Sequence, residues 1–309
     1  MRLFDLHCDT PQKMYTNNYH LASSPLSVSL DKLSCYDEAV QIGAIWSDSR
    51  ISDEFAFAAF HKIVDYLNFE VEALDERVGY VRSREQFEKA EGQTRLLLSV
   101  EDARILCGRL DRLKILHARG VRFLIPVWGG SSIIGGAHDT SEGLTEFGKE
   151  VIKSCFELGI ITDISHASTK TAEEMLDLAE GANKSIMASH SNSYSVCKHT
   201  RNLNDALFER IKRLGGIVGI SLHAPHLTSK DTCGVDDVIK HIEHYLSLGG
   251  EEVVALGCDF DGTDSLPQNL KNVSQLPLLA ERLAGLNYSD GLIDKIFYSN
   301  AKNFTMKNI

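Results

Sequence analysis

Short apolar runs of strand length recur along the chain, and most are followed by a stretch whose apolar residues are spaced as in an amphipathic helix. The runs that we predict to be strands are Leu3–His7, Val40–Trp46, Arg95–Val100, Val121–Val127, Ile160–Ser165, Lys184–Ser189, Gly216–Leu222 and Val253–Asp259. The predicted helices are Phe55–Leu74, Ile105–Arg119, Thr145–Leu158, Thr169–Ala179, Leu203–Arg213, Val235–Leu248 and Gln275–Ala284.

This alternation of strands and helices is typical of parallel βαβ units and therefore of an α/β protein. Because eight such units close a barrel, we predict a (β/α)8 (TIM) barrel, with a doubly wound open sheet as the alternative. No linker-like change of composition and no repeat of fixed length divides the chain. We therefore expect residues 1–309 to form a single barrel domain.

Composition narrows the possible partners. A formal net charge of −11 argues against nucleic acid or an anionic membrane surface, since both require a basic face. The seven cysteines are scattered without a Cys-x-x-Cys pair, and we find neither a signal peptide nor an apolar run of membrane-spanning length. We accordingly expect a cytoplasmic protein with reduced thiols.

Two histidines stand at matching places in the strand pattern. His166 follows the apolar run Ile160–Ser165, and His190 follows Lys184–Ser189, 24 residues further on. Parallel strands that end alike place both imidazoles on one rim of the barrel, where enzymes of this fold build their sites. The pair is typical of metal ligands that need carboxylates as partners.

Carboxylates end other predicted strands. His7 and Asp9 are two positions apart, so their side chains point the same way in an extended chain. Glu101 closes an apolar run, where burying it without a partner would be unfavourable, and Asp259 ends the last strand. We interpret Glu101 as a bridge between two metal ions and Asp259 as a proton acceptor. Each residue also has an interpretation without function. His7 and Asp9 would then be surface polar residues after a strand, Glu101 would be exposed in the following loop, and Asp259 would belong to a turn or a helix cap.

Taken together and in this order, the strand-end segments resemble the membrane (renal) dipeptidase family, a branch of the metal-dependent amidohydrolase superfamily. The resemblance covers nearly the whole chain. The segments that carry it are Asp5–Thr10, Gly143–Gly148, Asp163–Ser168, Ala188–Asn192, Arg201–Leu203 and Gly257–Gly262.

The resemblance implies a zinc-dependent dipeptidase, a hydrolase of small dipeptides that have a free C-terminal carboxylate. It implies two zinc ions per chain, with the ligands His7, Asp9 and Glu101 for one and Glu101, His166 and His190 for the other. A hydroxide between the ions would attack the peptide carbonyl, and Asp259 would carry its proton to the leaving amine. Arg201 matches the family arginine that grips the substrate carboxylate. A homodimer is also plausible on this resemblance.

Two positions depart from the family pattern. Trp128 stands where mammalian members have a histidine that contacts the substrate carbonyl, and His223 stands where members often have a tyrosine beside the carboxylate pocket. Both changes concern substrate binding, so a related amidohydrolase acting on another amide, a lactone or a β-lactam is the alternative, and a non-enzymatic barrel is a third hypothesis. The histidines that we expect to be structural are His20, His61, His117, His138, His199, His226, His241 and His244.

Overall fold

Parallel strands form a nearly closed barrel in the computed structural model, which describes residues 1–48, 50–74, 76–90 and 94–309. The barrel strands are β1 (Arg2–Cys8), β2 (Glu38–Trp46), β3 (Thr94–Glu101), β4 (Val121–Ile125), β5 (Ile161–Thr162), β6 (Met187–Ala188), β7 (Ile217–Ile220) and β8 (Val254–Leu256). Each lies within or overlaps a run predicted from the sequence. A further short strand, Val78–Tyr80, pairs with β3.

The strand order shows how the barrel closes. Neighbours along the sheet are β5, β4, β3, β2, β1, β8, β7 and β6, and every pair is parallel. Between β6 and β5 the connection is reduced to one bridge, from Asp163 to Met187, beside which the Ile164 amide donates to the Met187 carbonyl at 2.9 Å. The predicted (β/α)8 barrel is therefore confirmed, and the open-sheet alternative is wrong.

Helices alternate with the strands. They are α1 (Thr10–Asn17), α2 (Leu30–Leu33), α3 (Asp53–Glu72), α4 (Arg84–Lys89), α5 (Asp111–Ala118), α6 (Glu146–Leu158), α7 (Thr169–Ala182), α8 (Asp205–Arg213), α9 (Ala224–Leu227), α10 (Val235–Ser247), α11 (Pro277–Gly285), α12 (Asp290–Asp294) and α13 (Asn300–Asn308). Short 3₁₀ helices span Ala103–Leu106 and Val273–Gln275, and a π-helical turn spans Lys295–Ser299.

Side-chain caps explain where several of these helices begin. The side-chain oxygens of Thr145, Ser168 and Asn204 each accept a hydrogen bond from the backbone N–H three residues later. The predicted helix Ile105–Arg119 is instead divided, because Cys107 and Gly108 adopt left-handed backbone angles (φ 51° and 71°) that a helix does not permit.

The core has two layers. One apolar cluster joins Phe4, Leu97, Phe123, Met187 and Ile217 with residues of the C-terminal helices. Since these five side chains come from strands all around the barrel, they meet inside it and fill its interior. The larger cluster packs the surrounding helices against the outside of the strands. No helix in the described part of the chain is long and apolar enough to cross a bilayer.

Candidate metal centre and substrate cavity

The residues predicted to hold metals lie together at the carboxyl ends of the strands. His7 is on β1 and Glu101 is the last residue of β3, while His166, His190 and Asp259 follow β5, β6 and β8. His166 and Asp259 have positive φ angles, 70° and 61°, which are uncommon for residues with side chains. Such angles are concentrated at functional sites, where the surrounding structure holds them.

One cluster of ligand atoms surrounds His7. Its Nε2 lies 3.6 Å from Asp9 Oδ2, 3.8 Å from Glu101 Oε2 and 3.9 Å from Asp259 Oδ1. Burial alone would lower the pKa of His7, but the Glu101 and Asp9 carboxylates outweigh it and raise the pKa to about 10. Three carboxylates around one imidazole, two buried and one partly exposed, form a strongly negative environment that favours a cation.

The second cluster shares Glu101 with the first. Glu101 Oε1 lies 2.9 Å from His166 Nε2 and 3.6 Å from His190 Nε2, and the two histidine nitrogens are 3.0 Å apart. Glu101 thus turns one oxygen toward each cluster, which is the geometry that a bridging carboxylate requires. Burial raises the pKa of Glu101 and lowers the pKa values of both His166 and His190 well below their usual range. Both imidazoles are therefore neutral, which is the form that binds metals.

These clusters fit divalent cations. Among the described residues, both ring nitrogens of His7 and the Oδ1 atom of Asp9 are buried without a hydrogen-bond partner. Buried polar atoms are almost always partnered, so a group of unpartnered imidazole nitrogens and a carboxylate oxygen fits a site that binds a cation. Two sets of side chains place their ligand atoms close enough to share an ion, His7–Glu101–His190 and His7–Asp9–Asp259. Imidazole nitrogens and carboxylate oxygens are the donors that zinc uses in catalytic sites.

Hydrogen bonds behind the histidines fix their orientation. His166 Nδ1 lies 3.0 Å from the Trp128 carbonyl oxygen, so it donates to that oxygen. His190 Nδ1 lies 2.7 Å from Ser189 Oγ. In each case the hydrogen bond at Nδ1 turns Nε2 toward the cluster, as is usual for metal-binding histidines.

Two buried aspartates, Asp5 and Asp163, hold the strand ends by accepting hydrogen bonds from backbone amides, a role that we did not expect from the sequence. Asp163 Oδ1 accepts hydrogen bonds from the amides of Ser165 (2.8 Å) and Ser189 (3.1 Å), which directly precede His166 and His190. Asp5 Oδ1 likewise accepts from the amide of Cys258 at 2.8 Å, directly before Asp259. The pattern in the sequence that could have indicated this role is an aspartate two or three positions before a strand-end histidine, as Asp5 is before His7 and Asp163 before His166.

A cavity of about 630 Å³ opens over the two clusters. The predicted substrate-binding residues Arg201, Trp128 and His223 all line it. Arg201 is 5% exposed and has no ion-pair partner among the described residues; its Nη2 donates to the His190 carbonyl at 3.4 Å, and its Nε has no partner. Burial lowers the pKa of this guanidinium to about 10, so it remains a cation at neutral pH.

Three further histidines line the cavity: His138, His199 and His226. We expected these residues to be structural and did not expect them at the cavity. The loops after β4 and β6 and the helix α9 bring their side chains there. In contrast, His241 is buried within α10, with hydrogen bonds to the Ser193 amide and the Leu227 carbonyl.

The barrel and the clustered ligands together define a metal-dependent hydrolase of the TIM-barrel type. A model of the membrane dipeptidase family (peptidase family M19) matches residues 1–305. The chain belongs to this family and is a metallo-dipeptidase by class, so the hypothesis of a non-enzymatic barrel is set aside.

Individual proteins and solved structures are also similar to this chain. An uncharacterised protein in the pqqA 5′ region of Klebsiella pneumoniae is 33% identical over 218 residues, which are 66% of this chain and 79% of that protein. An uncharacterised dipeptidase of Schizosaccharomyces pombe is 32% identical over 196 residues, 60% of this chain and 46% of that protein. The crystal structure of a Rhodobacter sphaeroides metallopeptidase, liganded with a phosphinate mimic of the dipeptide L-Ala-D-Ala, superposes with a TM-score of 0.92 at 24% identity, covering 100% of this chain and 99% of that one.

Proposed function

We propose that this protein is a binuclear zinc dipeptidase that hydrolyses small dipeptides with a free C-terminal carboxylate. The observation that carries the proposal is the position of Glu101, whose two oxygens face two separate clusters of histidine and carboxylate ligands beneath one cavity. The R. sphaeroides relative, which binds a dipeptide mimic, supports the same substrate class.

His7, Asp9 and Glu101 would hold one ion, and Glu101, His166 and His190 would hold the other. When bound, a pair of zinc ions supplies Lewis-acid activation of a water molecule and of the scissile carbonyl. Because His166 and His190 are held by hydrogen bonds from behind, these two ligands need little reorganisation to bind an ion.

Asp259 is the proposed general base and acid. Its carboxylate lies 3.9 Å from His7 Nε2 and lines the cavity, so it is close to where the attacking water must approach the substrate. Burial raises the pKa of Asp259 to about 7, which suits a group that first accepts a proton from water and then donates it to the departing amine.

Arg201 is the proposed carboxylate anchor. A buried guanidinium without a counter-ion is unfavourable by itself, and the carboxylate of a substrate would neutralise it with two parallel hydrogen bonds. Trp128 and His223, which also line the cavity, would contact other parts of the substrate. The indole N–H of Trp128 can donate a hydrogen bond, but the ring cannot be protonated, so Trp128 would offer the substrate carbonyl a neutral donor and no positive charge.

The alternative is an amidohydrolase that acts on another amide, a lactone or a β-lactam. The observation that favours it is Trp128, because a bulky indole in place of an ionisable imidazole changes the shape of the cavity wall. The two functions differ in their need for a carboxylate next to the scissile bond.

A hydrolysis panel tests the proposal. Zinc-replete protein is assayed on L,L, L,D and D,D dipeptides, on the same peptides with an amidated C-terminus, and on a lactone and a β-lactam. We expect hydrolysis of free dipeptides, loss of that activity with a chelator, and poor turnover of the amides. Failure to cleave any dipeptide contradicts the proposal, and turnover of the lactone or β-lactam alone supports the alternative. The cytoplasmic location and the homodimer expected from the sequence are further proposals, which cell fractionation and size-exclusion chromatography with light scattering would test.

A further inference from the structure

Three imidazoles form a continuous surface beside Arg201 in the cavity. The ring centroids of His199 and His226 are 4.5 Å apart, and those of His223 and His226 are 4.3 Å apart. We call these three residues the imidazole wall. None of them belongs to the two ligand clusters, and only His223 was expected near the substrate.

The imidazole wall offers hydrogen-bond donors to the cavity. The Arg201 amide donates to His199 Nδ1 at 3.2 Å, so the proton of the neutral His199 ring is on Nε2. His223 Nδ1 is hydrogen-bonded to the hydroxyl of Thr263, which leaves its Nε2 available. At least one N–H donor therefore remains for a ligand.

The charges that act on the three imidazoles are of one sign, whereas the nearest carboxylates, Asp259 and Glu101, act on Arg201 from the side of the ligand clusters. Burial lowers the pKa values of His199, His223 and His226, and the nearby charge that lowers them further is the Arg201 guanidinium. Across the described residues, no carboxylate forms an ion pair with Arg201 or with any of these three imidazoles. A partly buried corner with a cation and N–H donors, in which no carboxylate forms an ion pair, is complementary to an anion.

The proposed function identifies which part of the substrate reaches this corner. If Arg201 holds the C-terminal carboxylate, the side chain of the C-terminal residue branches from the adjoining carbon atom and must lie close to Arg201. The imidazole wall lines the same cavity and lies within electrostatic reach of the Arg201 guanidinium. We propose that it binds a second carboxylate, and that the enzyme prefers dipeptides whose C-terminal residue is aspartate or glutamate. This inference rests on the proposed function.

Isosteric substrates test the inference on the unaltered enzyme. Zinc-replete protein is assayed with Ala-Asp against Ala-Asn and with Ala-Glu against Ala-Gln, each with the L and the D form of the second residue. Within each pair only the charge of the side chain changes. We expect kcat/KM to be about tenfold or more higher for the acid in at least one pair, the scale of a hydrogen bond to a charged group. Equal or better turnover of the amide in all pairs overturns the inference.

Substitutions locate the preference. His226→Phe keeps a planar ring but removes the nitrogens, and we expect the acid-to-amide ratio to fall toward one. His117→Gln, on α5 and outside the cavity lining, is the control and should keep the ratio. A His226→Phe enzyme that is folded and keeps the full ratio contradicts the assignment. Cleavage of neutral dipeptides without any preference refutes this inference alone, whereas cleavage of no dipeptide refutes the proposed function.

Discussion

Replacing Arg201 by methionine removes the proposed carboxylate anchor while keeping an unbranched side chain of similar length. Arg201 is a buried cation that has no carboxylate partner among the described residues. The chain therefore does not lose an ion pair through this substitution, and we expect Arg201→Met to fold as well as the parent protein or better.

The expected effect follows from the contacts that the guanidinium would make. Two hydrogen bonds between a guanidinium and a carboxylate, after the water around the substrate carboxylate is given up, contribute about 3 kcal/mol. Since each 1.4 kcal/mol is a factor of about ten, kcat/KM for a free dipeptide should fall by roughly 150-fold, chiefly through KM.

Steady-state kinetics on one dipeptide and its C-terminal amide check this value. Arg201→Met should lower kcat/KM for the dipeptide and leave the slow hydrolysis of the amide nearly unchanged. Arg50 is the matched control, because it also lines the cavity but is largely exposed and already paired with Asp48. If Arg50→Met lowers kcat/KM for the dipeptide as much as Arg201→Met does, or if the amide suffers the same loss as the acid, the anchoring role is refuted.

Substitutions at three other positions probe catalysis and folding. Asp259→Asn should lower kcat by ~10²-fold or more with metal content unchanged, and an unchanged kcat would remove Asp259 from the mechanism. Asp163→Ala deletes an acceptor for two backbone amides and should lower the free energy of unfolding in urea by about 2 kcal/mol. Asp163→Asn keeps an acceptor oxygen and should lower it by less. Equal losses in the two variants would contradict this role. Burial lowers the pKa of His241 to about 4. Between pH 6.5 and pH 4 the unfolded chain therefore binds a proton that the folded chain does not. The free energy of unfolding falls with the pH in this range, by up to about 1.4 kcal/mol per pH unit. His241→Gln should reduce that slope, and an identical slope would refute the assignment.

The barrel and the ligand clusters could be predicted because they depend on a short-range pattern. Apolar runs of strand length fix where His7 and Glu101 lie, and parallel strands in a closed barrel bring their carboxyl ends to one rim. The family resemblance added the roles of Asp259 and Arg201. The predicted strands Lys184–Ser189 and Val253–Asp259 were too long, because near their ends the amides of Ser189 and Cys258 donate to the carboxylates of Asp163 and Asp5.

The cavity walls could not be predicted in the same way. His138, His199 and His226 lie in βα connections, where the conformation of each loop decides whether a side chain faces the cavity or solvent. Strand periodicity carries no information about that choice. Their positions after strand ends, at the rim where barrels of this kind build their sites, were the available signal. The single-domain organisation stays a prediction.

Metal content per folded chain tests the central claim most directly. The protein is stripped with a chelator, repleted with zinc, desalted and measured by elemental analysis, with circular dichroism to verify folding. We expect about two zinc equivalents per chain, and fewer in a folded His166→Ala variant, because paired ions share the Glu101 carboxylate. A folded, repleted parent protein that retains no zinc would contradict the account.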